Sequence, residues 1–414
     1  MIEFQEPTLR HLAFFEELGK MDEADPNWRE VSAGLVVMRL IDEWIAIGIE
    51  AARPDSWGVN AVREAIADIP ETTPLRRILT AIVDCITSAP AVDIHAVAPR
   101  LMAYGQALEF GARWALASDI YETVVAHADP VADADLVVPA FIQLAYCRRT
   151  LGDFDRAAAA YADASRVAHT AGDLIGVLRG RLGDAKIAIA RGNLPKAESI
   201  LHETIARAQA GGLQDLRARA LHDRAYVAGL RGHHDKAVQI AYEALEVASS
   251  PSDRDRILGD IATGLRFLGL HDAARDGYLV LAMTAQDQYV RWVAELNLME
   301  LAANQGIELQ FDRYRRDLES TDFTPELRVT YLLHVGRGYH SLGNAETGIP
   351  YLERALDLAA QYKFNQLVFE CESALADARK RGSRLPERSA PDIDAGLQNV
   401  VDGIHQMRQL AGVG

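Results

Sequence analysis

The chain has 414 residues and a net charge of −16, with only six lysines among its basic residues. Length allows two or three domains, and the acidic balance disfavours nucleic acid and acidic membrane surfaces as partners. Three scattered cysteines, Cys85, Cys147 and Cys371, have no CxxC spacing, which excludes a disulfide framework or zinc site and points to a reducing compartment. Abundant alanine with sparse proline and aromatic residues favours helix throughout. The opening MIEFQEPTLRH has no basic region followed by an apolar run, so the expected setting is the cytoplasm. Arginine in place of lysine, with so much alanine, fits a high-GC bacterial source.

Residues 1–92 read as a helical bundle, with helices at about 6–19, 28–52, 58–68 and 73–88 punctuated by Pro26, Pro54 and Pro70. The most apolar stretch, LVVMRLIDEWIAIGIEA, carries Arg39, Asp42 and Glu43 on one side, the pattern of an amphipathic helix rather than a membrane span. Trp28, Trp44 and Trp57 fall here. Two roles stay open: a cap over the first apolar face of the helices downstream, or an effector bundle that docks a partner.

From residue 93 to 382 the sequence repeats. Gly152, Gly192, Gly232, Gly269, Gly306 and Gly343 recur 37 to 40 residues apart, each between two apolar-periodic helices, with a more degenerate unit around Gly111. Each glycine suits a helix C′ position, where φ is positive. Five residues on stands a small residue (Ala157, Ala197, Ala237, Ala274), which lets helices approach closely. Four further on stands a bulky one (Tyr161, Leu201, Tyr278, Leu352), which fills the gap. One hairpin cannot bury both its faces, so about seven must stack.

Residues 383–391 read as a linker rich in Arg, Pro and Ser. Residues 392–411 read as an amphipathic helix capped by Asp392 or Asp394, with an apolar stripe of Ile393, Leu397, Val400, Val401, Ile404, Met407 and Leu410. That stripe has three possible homes: the last repeat, a second subunit in a homodimer, or the groove in cis.

No catalytic or metal motif is complete. LHETIA has His202 and Glu203 but Ala206 where HExxH needs histidine. His233 and His234 sit side by side in a turn, and His334 and His340 are six apart, which is not a one-face ligand spacing. No phosphate loop and no nucleophile elbow occurs. The expectation is a non-enzyme without cofactor or metal.

The pattern of Leu144, Ala145, Gly152, Phe154, Ala157, Tyr161 and Ala164 resembles the tetratricopeptide repeat family, and the resemblance runs from about Asp93 to Gly382. It departs in its longer period, in Arg148 where the first helix usually has an aromatic, and in lacking the closing proline. The longer period is similar to the solenoids of maltose-activator-type and Rap-type bacterial regulators. The resemblance implies an all-α, right-handed superhelical solenoid of antiparallel hairpins with an N-terminal helical bundle. It also implies a concave groove lined by the first helices. Transferring its groove positions selects Arg149, Arg179, Lys186, Arg219, His222, Tyr226, Arg256, Arg266, Arg337 and His340, with Glu300 as a lone acid.

A basic wall in an acidic protein suits an acidic, extended protein or peptide, since arginine recognises carboxylates bidentately. Asp184, Asp223 and Asp260 are candidate partners that would neutralise it. Three functions are open on this reading: a scaffold for such a segment, a ligand-sensing regulator whose N-terminal bundle moves on binding, or a binder of nucleic acid or nucleotide anions.

Overall fold

The structure, a computed structural model, describes residues 10–54, 56–362, 364–380 and 393–412. Among these residues every regular element is a helix, and no helix is long and apolar enough to cross a membrane. The expected linker at 383–391 lies outside the described residues. The chain divides into two compact units, residues 1–207 and 208–414.

The first unit contains α1 (Leu12–Leu18), α2 (Pro26–Ile47), α3 (Trp57–Ala67), α4 (Pro74–Ser88), α5 (Ile94–Phe110), α6 (Trp114–His127), α7 (Ala134–Thr150), α8 (Phe154–Ala171), α9 (Leu174–Ala190) and most of α10 (Leu194–Ala210). Local chemistry sets the starts. Asp25, Ser56 and Asp93 each accept a backbone N–H of the first turn, and Pro26 and Pro74 sit where a missing N–H costs nothing. The single helix expected over 28–52 is two elements. Gly48, at φ 99°, ends α2, and a 3₁₀ turn follows at Ile49–Ala52.

Packing in this unit has no break at 92/93, where the sequence suggested a domain boundary. One core cluster holds Trp44, Val83, Leu101, Tyr121 and Ala157, so the N-terminal helices and the first hairpins share it. Within the hairpins the small-and-large pairing works through glycine as well as alanine. The buried Tyr161 ring of α8 lies on Gly183 of α9, where a Cβ would stand 2.3 Å from the ring.

The second unit contains α11 (Gln214–Leu230), α12 (His234–Val247), α13 (Pro251–Phe267), α14 (His271–Thr284), α15 (Gln288–Asn304), α16 (Glu308–Glu319), α17 (Pro325–Ser341), α18 (Ala345–Gln361), α19 (Asn365–Arg379) and α20 (Ala395–Leu410). First and second helices pair as α11–α12, α13–α14, α15–α16 and α17–α18, and α19 packs on α17 and α18. The six periodic glycines all have φ between 71° and 82°. Gly111 does not. Its φ is −80°, and Ala112 beside it takes the left-handed conformation at φ 56°.

The C-terminal helix α20 packs on α12 and α14, second helices of two hairpins, rather than on the last repeat or among the first helices. Leu397, Val400 and Ile404 are buried there, while Ile393 and Leu410 stay exposed. Asp394 caps the helix and accepts a hydrogen bond from Gln239 of α12 at 3.0 Å. Asp276 of α14, buried, accepts from Arg408 at 2.6 Å and lies 3.0 Å from His405 Nδ1.

At the other end His11, the residue before α1, is buried at φ 61°. Its Nδ1 is hydrogen-bonded to Asp119 of α6 and its Nε2 lies 3.3 Å from Asp42 of α2. Burial opposes its charge, but the hydrogen bond and the charges of Asp119 and Asp42 outweigh burial and hold its pKa above the ordinary value. A raised histidine pKa stabilises the fold fully below the unfolded value of about 6.5, and that stability is lost as pH rises through the folded pKa. The urea midpoint of the wild type relative to His11→Gln is therefore expected to fall between pH 6 and pH 9; a constant difference would show that His11 is not charged in the fold. Ala112→Gly relieves a left-handed alanine and is expected to raise stability by up to about 1 kcal/mol in urea titration.

Candidate functional site

Helices α11 and α13 of the second unit lie side by side, and their spacing places residues three, four and seven apart on one face. On α11 that stripe is Arg219, His222 and Tyr226; on α13 it includes Asp253, Arg256 and Asp260. Arg219 Nε donates to Asp253 Oδ2 at 2.9 Å, and Arg256 Nη2 donates to Asp253 Oδ1 at 3.0 Å. His222 Nε2 lies 2.6 Å from Asp260 Oδ2. Tyr226 is exposed, as is Phe267 at the end of α13.

The same scheme continues between α13 and α15. Arg266 Nη1 donates to Glu300 Oε2 at 2.8 Å, and its guanidinium stacks over Phe267 at 5.2 Å. Glu300 is buried, which works against its charge. His334, Arg266 and Arg337 together outweigh that and hold its carboxyl below the usual range. On α17, His334 Nδ1 lies 3.2 Å from the Leu296 carbonyl oxygen, and Arg337 Nη2 is 3.7 Å from Glu370 of α19. His340 Nδ1 is buried with no hydrogen-bond partner among the described residues.

The ten residues selected by sequence thus have different surroundings. Three lie in the first unit: Arg149, whose guanidinium stacks over Tyr146 at 5.3 Å; the half-buried Lys186; and Arg179, exposed with no ion pair among the described residues. Seven lie in the second. Of these, Arg219 and Arg256 share one carboxylate, while Arg266, Arg337 and His222 each have an acid on the neighbouring first helix. In the second unit most of the cations expected on a basic wall meet a carboxylate. Glu300 is not a lone acid but the acceptor of this network. Sequence reading named Asp260 as a neutraliser but missed Asp253. The signal was present: Arg219–Asp253 and Arg266–Glu300 are both 34 residues apart. His234 of the paired histidines stacks on the Phe267 ring, with centroids 6.0 Å apart.

Residues 329–362, which cover most of α17 and α18, match the family model described as Tetratricopeptide repeat. The chain carries a tetratricopeptide repeat. The matched hairpin is not the one around Tyr161 whose residues carried the resemblance. Its fold, an all-α stack of helix hairpins, is similar to several solved structures. The tetratricopeptide-repeat-sensor signal-transduction ATPase with numerous domains from Pyrococcus horikoshii aligns at 11% identity and TM-score 0.49, over 91% of this chain and 69% of that one. The apo quorum sensor NprR from B. thuringiensis aligns at 14% and 0.46, over 83% and 92%. The apo form of RapI aligns at 12% and 0.44, over 64% and 98%. No curated protein sequence matches the chain.

Glu300→Gln tests the network. Removing a buried, charge-assisted acceptor is expected to cost about 1–3 kcal/mol at pH 7. Because the carboxyl pKa is depressed, its contribution is present above about pH 4.3 and lost as pH falls through the folded value. Urea midpoints of wild type and variant should converge only below that range.

Proposed function

We propose that this protein is a non-enzymatic scaffold that holds an acidic, extended protein or peptide segment on the face of its first helices. The observation that carries the reading is the Arg219–Asp253–Arg256 node, where two exposed guanidiniums share one covered carboxylate on a solvent-facing stripe. Arg219 and Arg256 occupy the same place in successive hairpins, and the exposed Arg179 is their counterpart in the first unit. Guanidinium forks bind carboxylates bidentately, so an incoming Asp, Glu or C-terminus has a ready partner. The tetratricopeptide match supports a protein- or peptide-binding role. The continuous core beneath α1–α8 supports the reading of residues 1–92 as a cap rather than a separate effector. The acids that meet most of these cations weaken the nucleic-acid alternative, which needs an uncompensated basic track. Three unpaired cysteines support a cytoplasmic setting.

A peptide array probed with the purified protein tests this directly. Acidic peptides are expected to bind, and Arg219→Glu/Arg256→Glu is expected to bind them at least tenfold more weakly with its helical content unchanged. Equal binding of basic and acidic peptides, or retention of binding by the double variant, would overturn it.

A further inference from the structure

The α11–α13 face holds two unlike elements at a fixed separation, and this goes a step past the scaffold reading on which it rests. At one end is the Arg219–Asp253–Arg256 node. Side-chain exposures of 46% for Arg219 and 56% for Arg256, against 13% for Asp253, leave the guanidiniums open to solvent while their shared anchor is covered. At the other end are two large exposed aromatic side chains, Tyr226 at 59% and Phe267 at 57%. Phe267 is held by Arg266 stacked on one side and by the His234 ring. Exposed aromatic side chains whose rings are already held in place offer apolar contact at small entropic cost. Between the two ends, His222 occupies Asp260, whose side chain is 64% exposed, so this acid is already engaged.

The separation is set by helix geometry. Tyr226 is two turns beyond Arg219, about 10 Å, and Phe267 about three turns beyond Arg256, about 16 Å. An extended chain advances about 3.3 Å per residue, so these distances correspond to three to five residues. We propose that this face is a two-point reader: the arginine node takes a carboxylate, and the Tyr226–Phe267 end takes an aromatic or large aliphatic side chain with two to four residues between them in an extended segment. The ligand is therefore a peptide with one acidic and one large apolar side chain, not a polyanion.

The test uses the full chain and fluorescein-labelled peptides in which one Glu and one Phe are separated by zero to six Ser/Ala residues, measured by fluorescence anisotropy. Affinity is expected to peak at two to four intervening residues, and to fall at least fivefold on replacing Glu by Gln or Phe by Ala. Arg219→Gln/Arg256→Gln should abolish the Glu/Gln difference while keeping the Phe/Ala difference, and Tyr226→Ser/Phe267→Ser should do the reverse. This crossed pattern cannot come from misfolding, which would remove both. Flat affinity across the spacings, no binding of the set, or displacement by single-stranded oligonucleotide regardless of spacing would overturn the two-point reader. If acidic array peptides still bind through these arginines, the scaffold reading stands and only the spacing rule falls.

Discussion

The structure depends on how one first helix meets the next. Side chains reach from residue i to a residue 34 or 38 further along the chain: Glu109 with Gln143 and Cys147, Arg219 with Asp253, His222 with Asp260, Arg266 with Glu300, the Leu296 carbonyl with His334. The two offsets differ by four, one helical turn, so both describe the same face at adjacent levels. This contact fixes the register of each hairpin on its neighbour. It also engages Arg219, His222, Arg266 and Arg337 of that face.

The second helices do the complementary work. Their bulky residues close on glycine or alanine of adjacent first helices, as Tyr161 does on Gly183. In the second unit they also carry α20, which covers part of α12 and α14. Charged anchors recur at both terminal helices: His11 meets Asp119 and Asp42, and His405 and Arg408 meet Asp276. In the second unit α20 is seated by Asp276 of the second helix α14, and the first-helix stripe of Arg219, Tyr226 and Arg256 is exposed.

Much of the fold was legible because its signals are local. Gly at a C′ position, a small residue five on and a bulky one four beyond are each dictated by backbone sterics or close packing. The exceptions are local as well. Gly48 broke a helix whose apolar pattern continued through it, and Ala112 took a conformation that its side chain disfavours. The site was legible by residue type but not by partner. Arginines could be placed on the first helices, but whether one met solvent or an acid depended on a residue 34 positions away, as for Arg219 and Arg266. The home of α20 was not legible, since an apolar stripe specifies that it is buried and not against what.

Hydrogen–deuterium exchange, with and without an acidic peptide that binds, tests the central claim that partners are held by the first-helix face. Slowed exchange is predicted in α11 and α13, with α12, α14 and α20 unchanged. Protection confined to α12 and α14, or release of α20, would place the partner on the second helices and contradict that claim.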